Sequence, residues 1–204
     1  MATNVNKTVE QIVIEAAKEV FVEKGYAETN MSDIAAKAGI NRPALHYYFR
    51  TKERMLEAVY SDIIRSLVPK VVQILQNDSV PFFERVSTLI DVYFGILVEN
   101  PNLPMFVIRE IYRDIQCLFD TLNSVSDNQI KQIRGILLAE MEKGHIKTAP
   151  IEFIFYTFYG LLFTPFLLNP MTSIVFDKPE KLTIENLAPW KEQILLQVKA
   201  LLSV

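Results

Sequence analysis

Residues 30–54, NMSDIAAKAGINRPALHYYFRTKER, decide the fold of this 204-residue chain. The first part predicts a short helix after Asn30, because an asparagine side chain accepts hydrogen bonds from the exposed backbone amides of a first turn. Asp33 stands three residues later, which is the spacing of a capping box. Gly39 predicts the end of this helix, since glycine takes the left-handed conformation without a Cβ penalty.

A second short helix is predicted from about Arg42 to Phe49. Asn41 supplies its cap, and Pro43 stands in the first turn, where its missing N–H is not needed. The helix is roughly 12 Å long at 1.5 Å per residue, which is too short to be stable alone. That length suits a DNA major groove roughly 12 Å wide. The pair therefore predicts a DNA-binding helix-turn-helix, and the alternative is a small helical hairpin with a solvated charged face.

The second helix has an inner and an outer face in this prediction. Leu45 and Phe49 are four residues apart and point into the domain. Arg42 on the outer face can reach a phosphate or a guanine edge, and Ala44 is small enough to meet a thymine methyl group. The outer face is therefore the predicted reading surface.

Phosphate contacts are predicted at the end of the quoted stretch. The phenol of Tyr47 or Tyr48 can donate to a phosphate, which fixes the register without reading the sequence. Thr51 caps a third helix, and Lys52 places a positive charge beside free backbone amides that favour phosphate. The predicted DNA-binding residues are Asn30, Ser32, Asn41, Arg42, Pro43, Ala44, His46, Tyr47, Tyr48, Thr51 and Lys52.

Charge is unevenly distributed along the chain. Residues 37–54 carry five basic side chains and one acidic one, whereas the whole chain has a formal net charge of −3. A basic segment on an acidic body favours a protein that touches DNA at one end only. The single cysteine, Cys117, excludes an intramolecular disulfide, and no signal-peptide pattern opens the chain, so we expect a cytoplasmic protein.

The N-terminal quarter of the chain resembles the TetR family of transcriptional regulators. The matching residues are Gly25, Tyr26, Thr29, Ile34, Ala35, Ala38, Gly39, Ile40, Leu45, Tyr47, Tyr48, Phe49, Lys52, Glu53 and Leu56. The resemblance implies a dimer, with a DNA-binding domain over residues 1–54. It also implies a helical body over 55–204 that binds a small-molecule effector and forms the dimer.

The resemblance also implies roles for single residues. It implies phosphate contacts from Tyr48 and Lys52. Base or backbone contacts are implied for Arg42, Pro43, Ala44 and Tyr47. His46 lies where the family more often has an aromatic residue such as tyrosine, so base reading and packing both stay open for it.

The hydrophobic spacing predicts an all-α fold of about nine helices. The apolar stripe from Val9 to Phe21 predicts a first helix that ends at Gly25, and the helix that begins after Thr51 is long and links head to body. Further helices are predicted near 81–99, 103–122, 126–143, 150–168 and 185–203. Prolines punctuate this pattern at positions 101, 104, 150, 170, 179 and 189, since proline is unfavourable inside a helix.

Residues 153–176 contain no charged side chain. A membrane helix needs about 20 apolar residues, but Pro165 and Pro170 interrupt this stretch and no basic excess flanks it. The alternative of a membrane-associated protein is therefore less favoured. We expect an apolar helix that is buried in the core or in a dimer seam.

The same stretch is a candidate wall of an effector pocket. Its aromatic residues face those of earlier helices in this prediction, and Arg109 and Arg113 either pair with Glu110 or Asp114 or meet an anionic ligand. Core aromatics and surface ion pairs are the alternative for each residue. The candidate ligand-binding residues are Tyr93, Phe94, Phe106, Arg109, Tyr112, Arg113, Tyr156, Tyr159 and Phe163. The resulting hypothesis is a lipophilic or aromatic effector, and a weakly acidic group on it stays open.

The late helices near 150–168 and 185–203 are predicted to form a homodimer, since two-fold operators require two DNA-binding heads. An enzyme is not expected, because the chain has no phosphate loop, HExxH, CxxC or nucleophile elbow. We expect no cofactor and no bound metal. The sequence therefore predicts a ligand-responsive regulator, most simply a repressor released from a palindromic operator; an activator, or a regulator without an effector, is the alternative.

Overall fold

The computed structural model describes residues 7–177 and 181–204, and this part of the chain forms eight helices and no strand. They are α1 (Val9–Lys24), α2 (Met31–Ala38), α3 (Arg42–Tyr48), α4 (Lys52–Leu75), α5 (Phe82–Glu99), α6 (Leu103–Glu142), α7 (Ile151–Val175) and α8 (Ile184–Leu202). The backbone of α6 is not helical at Asp114 and Ser126. If α6 is divided at Ser126, where the second of two predicted helices begins, the number of helices is nine, as predicted. The predicted all-α fold is confirmed.

Two compact units divide the chain. The first runs to Ser66 and includes Met105–Ser126, and the second comprises Leu67–Pro104 and the chain from Asp127 onward. Each unit has its own apolar core: Phe21, Ile34, Leu45, Leu56 and Phe106 are fully buried in the first, and Ile90, Leu97, Leu162, Ile194 and Leu202 in the second. The division of function between 1–54 and 55–204 stays a prediction, and residues 1–6 and Pro179 lie outside the described residues.

Prolines lie inside helices more often than the sequence predicted. Pro69 is inside α4, Pro165 and Pro170 are inside α7, and Pro189 is inside α8. The predictions that Pro170 and Pro189 separate helices, and that a helix ends near residue 168, are therefore wrong. At one of these prolines, a side chain of another helix donates to the carbonyl that the proline leaves without a partner.

Pro165 shows how this works. A proline removes the N–H that would bond to the carbonyl four residues earlier, which here is the carbonyl of Leu161. The indole Nε1 of Trp190 in α8 donates to that oxygen at 2.9 Å. The side chain of one helix thus replaces the backbone donor that the other helix lacks.

Few residues of α7 are buried, namely Leu162 and Phe166. It is the only helix among the described residues that is long and apolar enough to cross a membrane by length and composition, and 11% of its most apolar window is buried. The expectation that this helix is buried in the core is wrong for a single copy of the chain. The large exposed apolar residues of α7 and α8 are Phe153, Phe155, Tyr156, Leu168, Met171, Ile174, Val175, Ile184 and Leu196.

We predict that Trp190→Phe lowers the free energy of unfolding by about 1–3 kcal/mol, because the carbonyl of Leu161 loses its donor while the aromatic packing is largely kept. In a Pro165→Ala background the restored amide can bond to that carbonyl, so the same substitution should cost much less. Urea unfolding of the four variants of this double-mutant cycle measures the coupling. Equal costs in the two backgrounds would contradict this account.

Candidate DNA-binding surface and ligand cavity

Local capping fixes α2. The Asn30 Oδ1 accepts from the backbone N–H groups of Ser32 (2.9 Å) and Asp33 (3.0 Å). The Asp33 Oδ2 accepts in turn from the Asn30 N–H, and Gly39 ends the helix with a φ of 70°. A hydrogen bond from Lys24 lowers the pKa of Asp33. The predicted capping box and glycine stop are therefore confirmed.

The seven-residue α3 has the predicted inner face. Asn41 Oδ1 accepts from the Ala44 N–H at 2.8 Å, and Leu45 and Phe49 are buried. Tyr47 is 84% exposed. This helix is therefore anchored by one capping bond and two apolar side chains, with its other side open to solvent.

The outer residues of α3 differ in their exposure. Arg42 and Pro43 are exposed, Ala44 and His46 are half-buried, and Tyr48 is exposed with its ring in an edge-to-face contact with that of Tyr47. Among the described residues Arg42 has no hydrogen bond or ion pair. Its guanidinium is therefore available to a partner outside the chain. Asn30, Ser32, Asn41 and Thr51 are also exposed around this surface.

Lys52 lies at the start of α4, where it holds the turn between α1 and α2. Its ammonium donates to the carbonyl oxygens of Tyr26 and Thr29, both at 2.9 Å, and lies 4.2 Å from the ring centroid of Tyr26. An ammonium has three N–H donors, so one remains for a further acceptor. The structure thus gives Lys52 an internal role, and the predicted phosphate contact stays a prediction.

Tyr26 joins two more charged residues of the first unit. Its hydroxyl donates to Glu53 at 2.7 Å. Burial and then this hydrogen bond raise the pKa of Tyr26 to about 12, and the same hydrogen bond lowers the pKa of Glu53. The guanidinium carbon of Arg113 lies 4.1 Å from the ring centroid of Tyr26. A cation within about 6 Å of a ring centroid is attracted to the ring, and both Lys52 and Arg113 lie within that distance of Tyr26.

A buried carboxylate completes this cluster. Glu110 is 2% exposed and accepts from the Tyr60 hydroxyl at 2.9 Å and from Arg113 Nε at 2.6 Å. Burial, followed by the hydrogen bond to Glu110, raises the pKa of Tyr60. The sequence left open whether Arg113 pairs with Glu110 or meets a ligand, and the structure places it in the ion pair.

Four of the nine candidate ligand-binding residues lie in the first unit. Phe106 is buried with its ring 6.2 Å from that of Tyr60, and Tyr112 is 88% exposed. Arg109 and Arg113 line an open cleft of about 840 Å³ beside residues 23–28. The aromatic residues of α7 belong to the second unit.

The second unit contains an apolar cavity of about 330 Å³. Tyr93 and Tyr159 belong to its lining, and their hydroxyl oxygens are 2.6 Å apart. Burial raises the pKa of both tyrosines, so both stay neutral. The lining residues are Val71, Leu75, Phe82, Val86, Leu89, Tyr93, Ile130, Ile133, Arg134, Leu137, Ile151, Ile154, Phe155, Phe158, Tyr159 and Val198.

The other three candidate ligand-binding residues lie near this cavity without lining it. Phe94 is buried with its ring 6.3 Å from that of Phe166, and the Phe163 ring is 5.6 Å from that of Tyr159. Tyr156 lines a surface groove with Trp190. Of the predicted set, the structure therefore brings only Tyr93 and Tyr159 into the cavity of the second unit.

A buried ion pair fixes the helices around the cavity. Arg85 in α5 is 3% exposed, and its Nη2 lies 2.9 Å from the buried Glu140 in α6. Its Nη1 donates to the carbonyl of Leu75 at the end of α4. Glu140 also contacts His145 Nδ1 at 3.0 Å. Since an unpaired buried charge is very costly, this pair holds α4, α5 and α6 together beside the cavity.

The chain matches the sequence model of the bacterial regulatory proteins of the tetR family over residues 13–59. This segment contains most of α1, all of α2 and α3, and the start of α4, which are the elements of the DNA-binding surface described above. The chain belongs to the TetR family of transcriptional regulators. Its relatives and its fold are those of regulators and not of enzymes.

Other known proteins are similar to this TetR-family chain over more of its length. The fatty acid metabolism regulator protein of Bacillus subtilis (strain 168) is 24% identical over 135 residues, which are 66% of this chain and 69% of that protein. The transcriptional repressor KstR2 of Mycolicibacterium smegmatis is 33% identical over 137 residues, 66% of each chain. The solved FadR of Bacillus subtilis in complex with stearoyl-CoA has a TM-score of 0.68 and 21% identity, covering 92% of this chain and 96% of that one.

Most residues that line the cavity of this TetR-family regulator were not predicted from the sequence. Ile130, Ile133, Arg134 and Leu137 were not proposed, although their spacing of three, one and three residues marks one face of a helix. That spacing shows that they share a face, but not which helices that face meets. Phe155 was also missed, because α7 is apolar on all sides and its sequence does not distinguish them.

We predict that Lys52→Ala and Arg42→Ala both weaken DNA binding. If Lys52 gives its remaining donor to a phosphate, its loss reduces the slope of log affinity against log salt by about one unit. Lys52→Ala should also lower the Tm, because two backbone carbonyls lose their donor. Arg42→Ala is the matched control: it should leave the Tm unchanged and relax sequence preference if Arg42 reads a base. Unchanged DNA affinity in both folded variants would contradict the predicted docking.

Proposed function

We propose that this TetR-family regulator is a dimeric repressor that leaves a palindromic operator when an acyl-chain compound binds in the cavity of the second unit. One observation carries the proposal: among the described residues, a partly open cavity with an almost wholly apolar lining occurs in the same chain as a solvent-exposed α3 that presents Arg42 within a basic segment. The first feature suits a lipophilic effector, and the second suits DNA.

The DNA-binding part of the proposal is supported by the exposure of α3. The helix presents Arg42 and Tyr47 to solvent, while its caps and its buried Leu45 fix it to the first unit. We assign Tyr48 and Lys52 to phosphate, and Arg42, Pro43, Ala44 and Tyr47 to base or backbone contacts. His46 is half-buried, which favours a packing role over base reading.

The choice of effector is supported by cavity chemistry and by relatives. The lining consists of aliphatic and aromatic side chains, apart from Arg134 and the paired tyrosine hydroxyls. One similar protein is a fatty acid metabolism regulator, and one solved structure of this fold holds stearoyl-CoA. We infer from these that the effector is a fatty acid or its thioester.

Effector binding has a direct mechanical consequence for α4. This helix begins at Lys52, which holds the turn before α2, and its last turns supply Val71 and Leu75 to the cavity lining. A ligand acts only through the difference in its affinity for the DNA-binding and free states. A repacking of Val71 and Leu75 that displaces α4 supplies such a difference.

The proposed homodimer forms through α7 and α8. Their exposed apolar residues, described above, would be costly to leave in water, and contiguous patches of this kind mark interaction sites. A membrane is the other apolar partner to consider. Pro165 and Pro170 within α7, and the lack of a basic excess in the sequence on either side of it, favour a second copy of the chain.

We predict that Tyr156→Glu combined with Leu196→Glu produces a folded monomer, because both side chains are exposed in one copy and a buried unpaired carboxylate is costly at an interface. Light scattering coupled to size exclusion measures the mass. Tyr112→Glu is the control, since Tyr112 is also exposed but lies on α6. A wild-type protein that is monomeric at micromolar concentration would contradict the proposed dimer.

We predict that fatty acids or acyl-CoA thioesters release the protein from operator DNA. The operator is first obtained by selection from random oligonucleotides, and release is then followed by fluorescence anisotropy. Leu89→Trp should abolish release by filling the cavity, whereas Leu138→Trp, at an exposed position outside the lining, should not. Tighter DNA binding with ligand would replace the repressor by a ligand-activated regulator, and no effect of any acyl compound would contradict the effector class.

A further inference from the structure

A single charged residue lines the cavity of the second unit. Among the described lining residues, Arg134 is charged and exposed, and the rest are aliphatic or aromatic. Arg134 lies in α6, one residue after Ile133 and three before Leu137, so one helix face presents both the cation and part of the apolar lining. The cavity therefore has an apolar interior with one cation at its solvent-exposed side.

No group of the described chain neutralises this cation. In the same part of α6, Glu140 is paired with Arg85 and Lys143 with Asp78. Arg134 has no hydrogen bond or ion pair among the described residues. Its guanidinium keeps five N–H donors in a planar fork that fits a carboxylate or a phosphate.

The remaining polar groups of the lining are the hydroxyls of two tyrosines, which carry no charge. The hydroxyls of Tyr93 and Tyr159 bond to each other at 2.6 Å. Burial keeps both phenols neutral, so neither adds a charge to the cavity, and the hydroxyl that accepts in this pair keeps one O–H donor. A ligand that fills this part of the cavity therefore meets no charge and can be largely apolar.

We propose that the cavity binds one unbranched alkyl or acyl chain whose anionic end is held by Arg134. This rests on the proposed effector site and specifies its ligand: a chain in the interior and an anion at the exposed side. The anion is the carboxylate of a free fatty acid or a phosphate of an acyl thioester, since a guanidinium binds both in the same two-bond manner.

The cavity volume sets a scale for the chain. A water molecule takes about 30 Å³ of liquid, so 330 Å³ holds roughly eleven groups of that size. A ten-carbon chain is therefore a suitable probe. Each methylene buried in the cavity should tighten binding about fourfold, because its transfer from water is worth about 0.8 kcal/mol.

The test compares decanoate, decanoyl-CoA and 1-decanol on the full-length protein by isothermal titration calorimetry. We expect decanoate or decanoyl-CoA to bind about tenfold more tightly than 1-decanol, which has the chain without the charge. Arg134→Gln should remove that advantage and leave 1-decanol binding unchanged. Lys131→Gln is the matched control, because it removes a positive charge from an exposed position of the same helix outside the lining.

The outcomes separate the two anions and the two proposals. A loss on Arg134→Gln for decanoate identifies the carboxylate as the bound group, and a loss for decanoyl-CoA alone identifies a phosphate. Equal binding of all three compounds to wild type and Arg134→Gln would overturn the role of Arg134, yet leave the apolar effector site standing. If none of the three compounds, nor their longer-chain homologues, binds the wild-type protein, the effector site itself fails.

Discussion

The DNA-binding surface is built on α3, a helix that is too short to be stable by itself. Seven residues make too few backbone hydrogen bonds to offset the cost of nucleating a helix, so α3 takes its conformation from its surroundings. Asn41 satisfies one of its free amides, and Leu45 and Phe49 bury its inner face. Its position thus depends on α2, which it contacts, and Lys52 holds the turn that precedes α2.

The polar cluster around Tyr26 makes that turn rigid. A surface turn ordinarily carries little stabilisation, but this one receives a hydrogen-bonded ammonium on its carbonyls and a guanidinium over its aromatic ring. The guanidinium is held in turn by the buried carboxylate of Glu110. The turn that positions α2 is therefore tied to α4 and α6 by charged groups as well as by apolar packing.

Local features of the fold could be predicted from the sequence, because caps and turns depend on residues three or four apart. Asn30, Gly39 and Asn41 each act within one helical turn, and their roles are confirmed. The role of Trp190 could not be predicted in this way. Its indole bonds to the carbonyl that Pro165 leaves free, 29 residues away in the chain, and only tertiary packing brings the two together.

The cavity shows the same limit for the site. The aromatic content of α7 predicted an apolar wall, and Tyr159 of α7 does line the cavity, together with Tyr93 of α5. However, Phe106 and Tyr112 lie in the first unit. This could not be predicted, because the spacing of an aromatic residue on an amphipathic helix does not indicate which core the residue joins. The helical spacing of Ile130 to Leu137 contained a better signal, since it places a lone cation on an apolar face.

Two of the helices that line the cavity also carry residues of the first unit. Helices α5, α7 and α8 lie wholly in the second unit, whereas α4 and α6 each contribute to both units. Leu75 and Leu137 line the cavity on these two shared helices. Lys52 and Glu110, on the same helices, hold the turn before α2. Helices α4 and α6 therefore each carry residues that line the cavity and residues that hold the turn before α2.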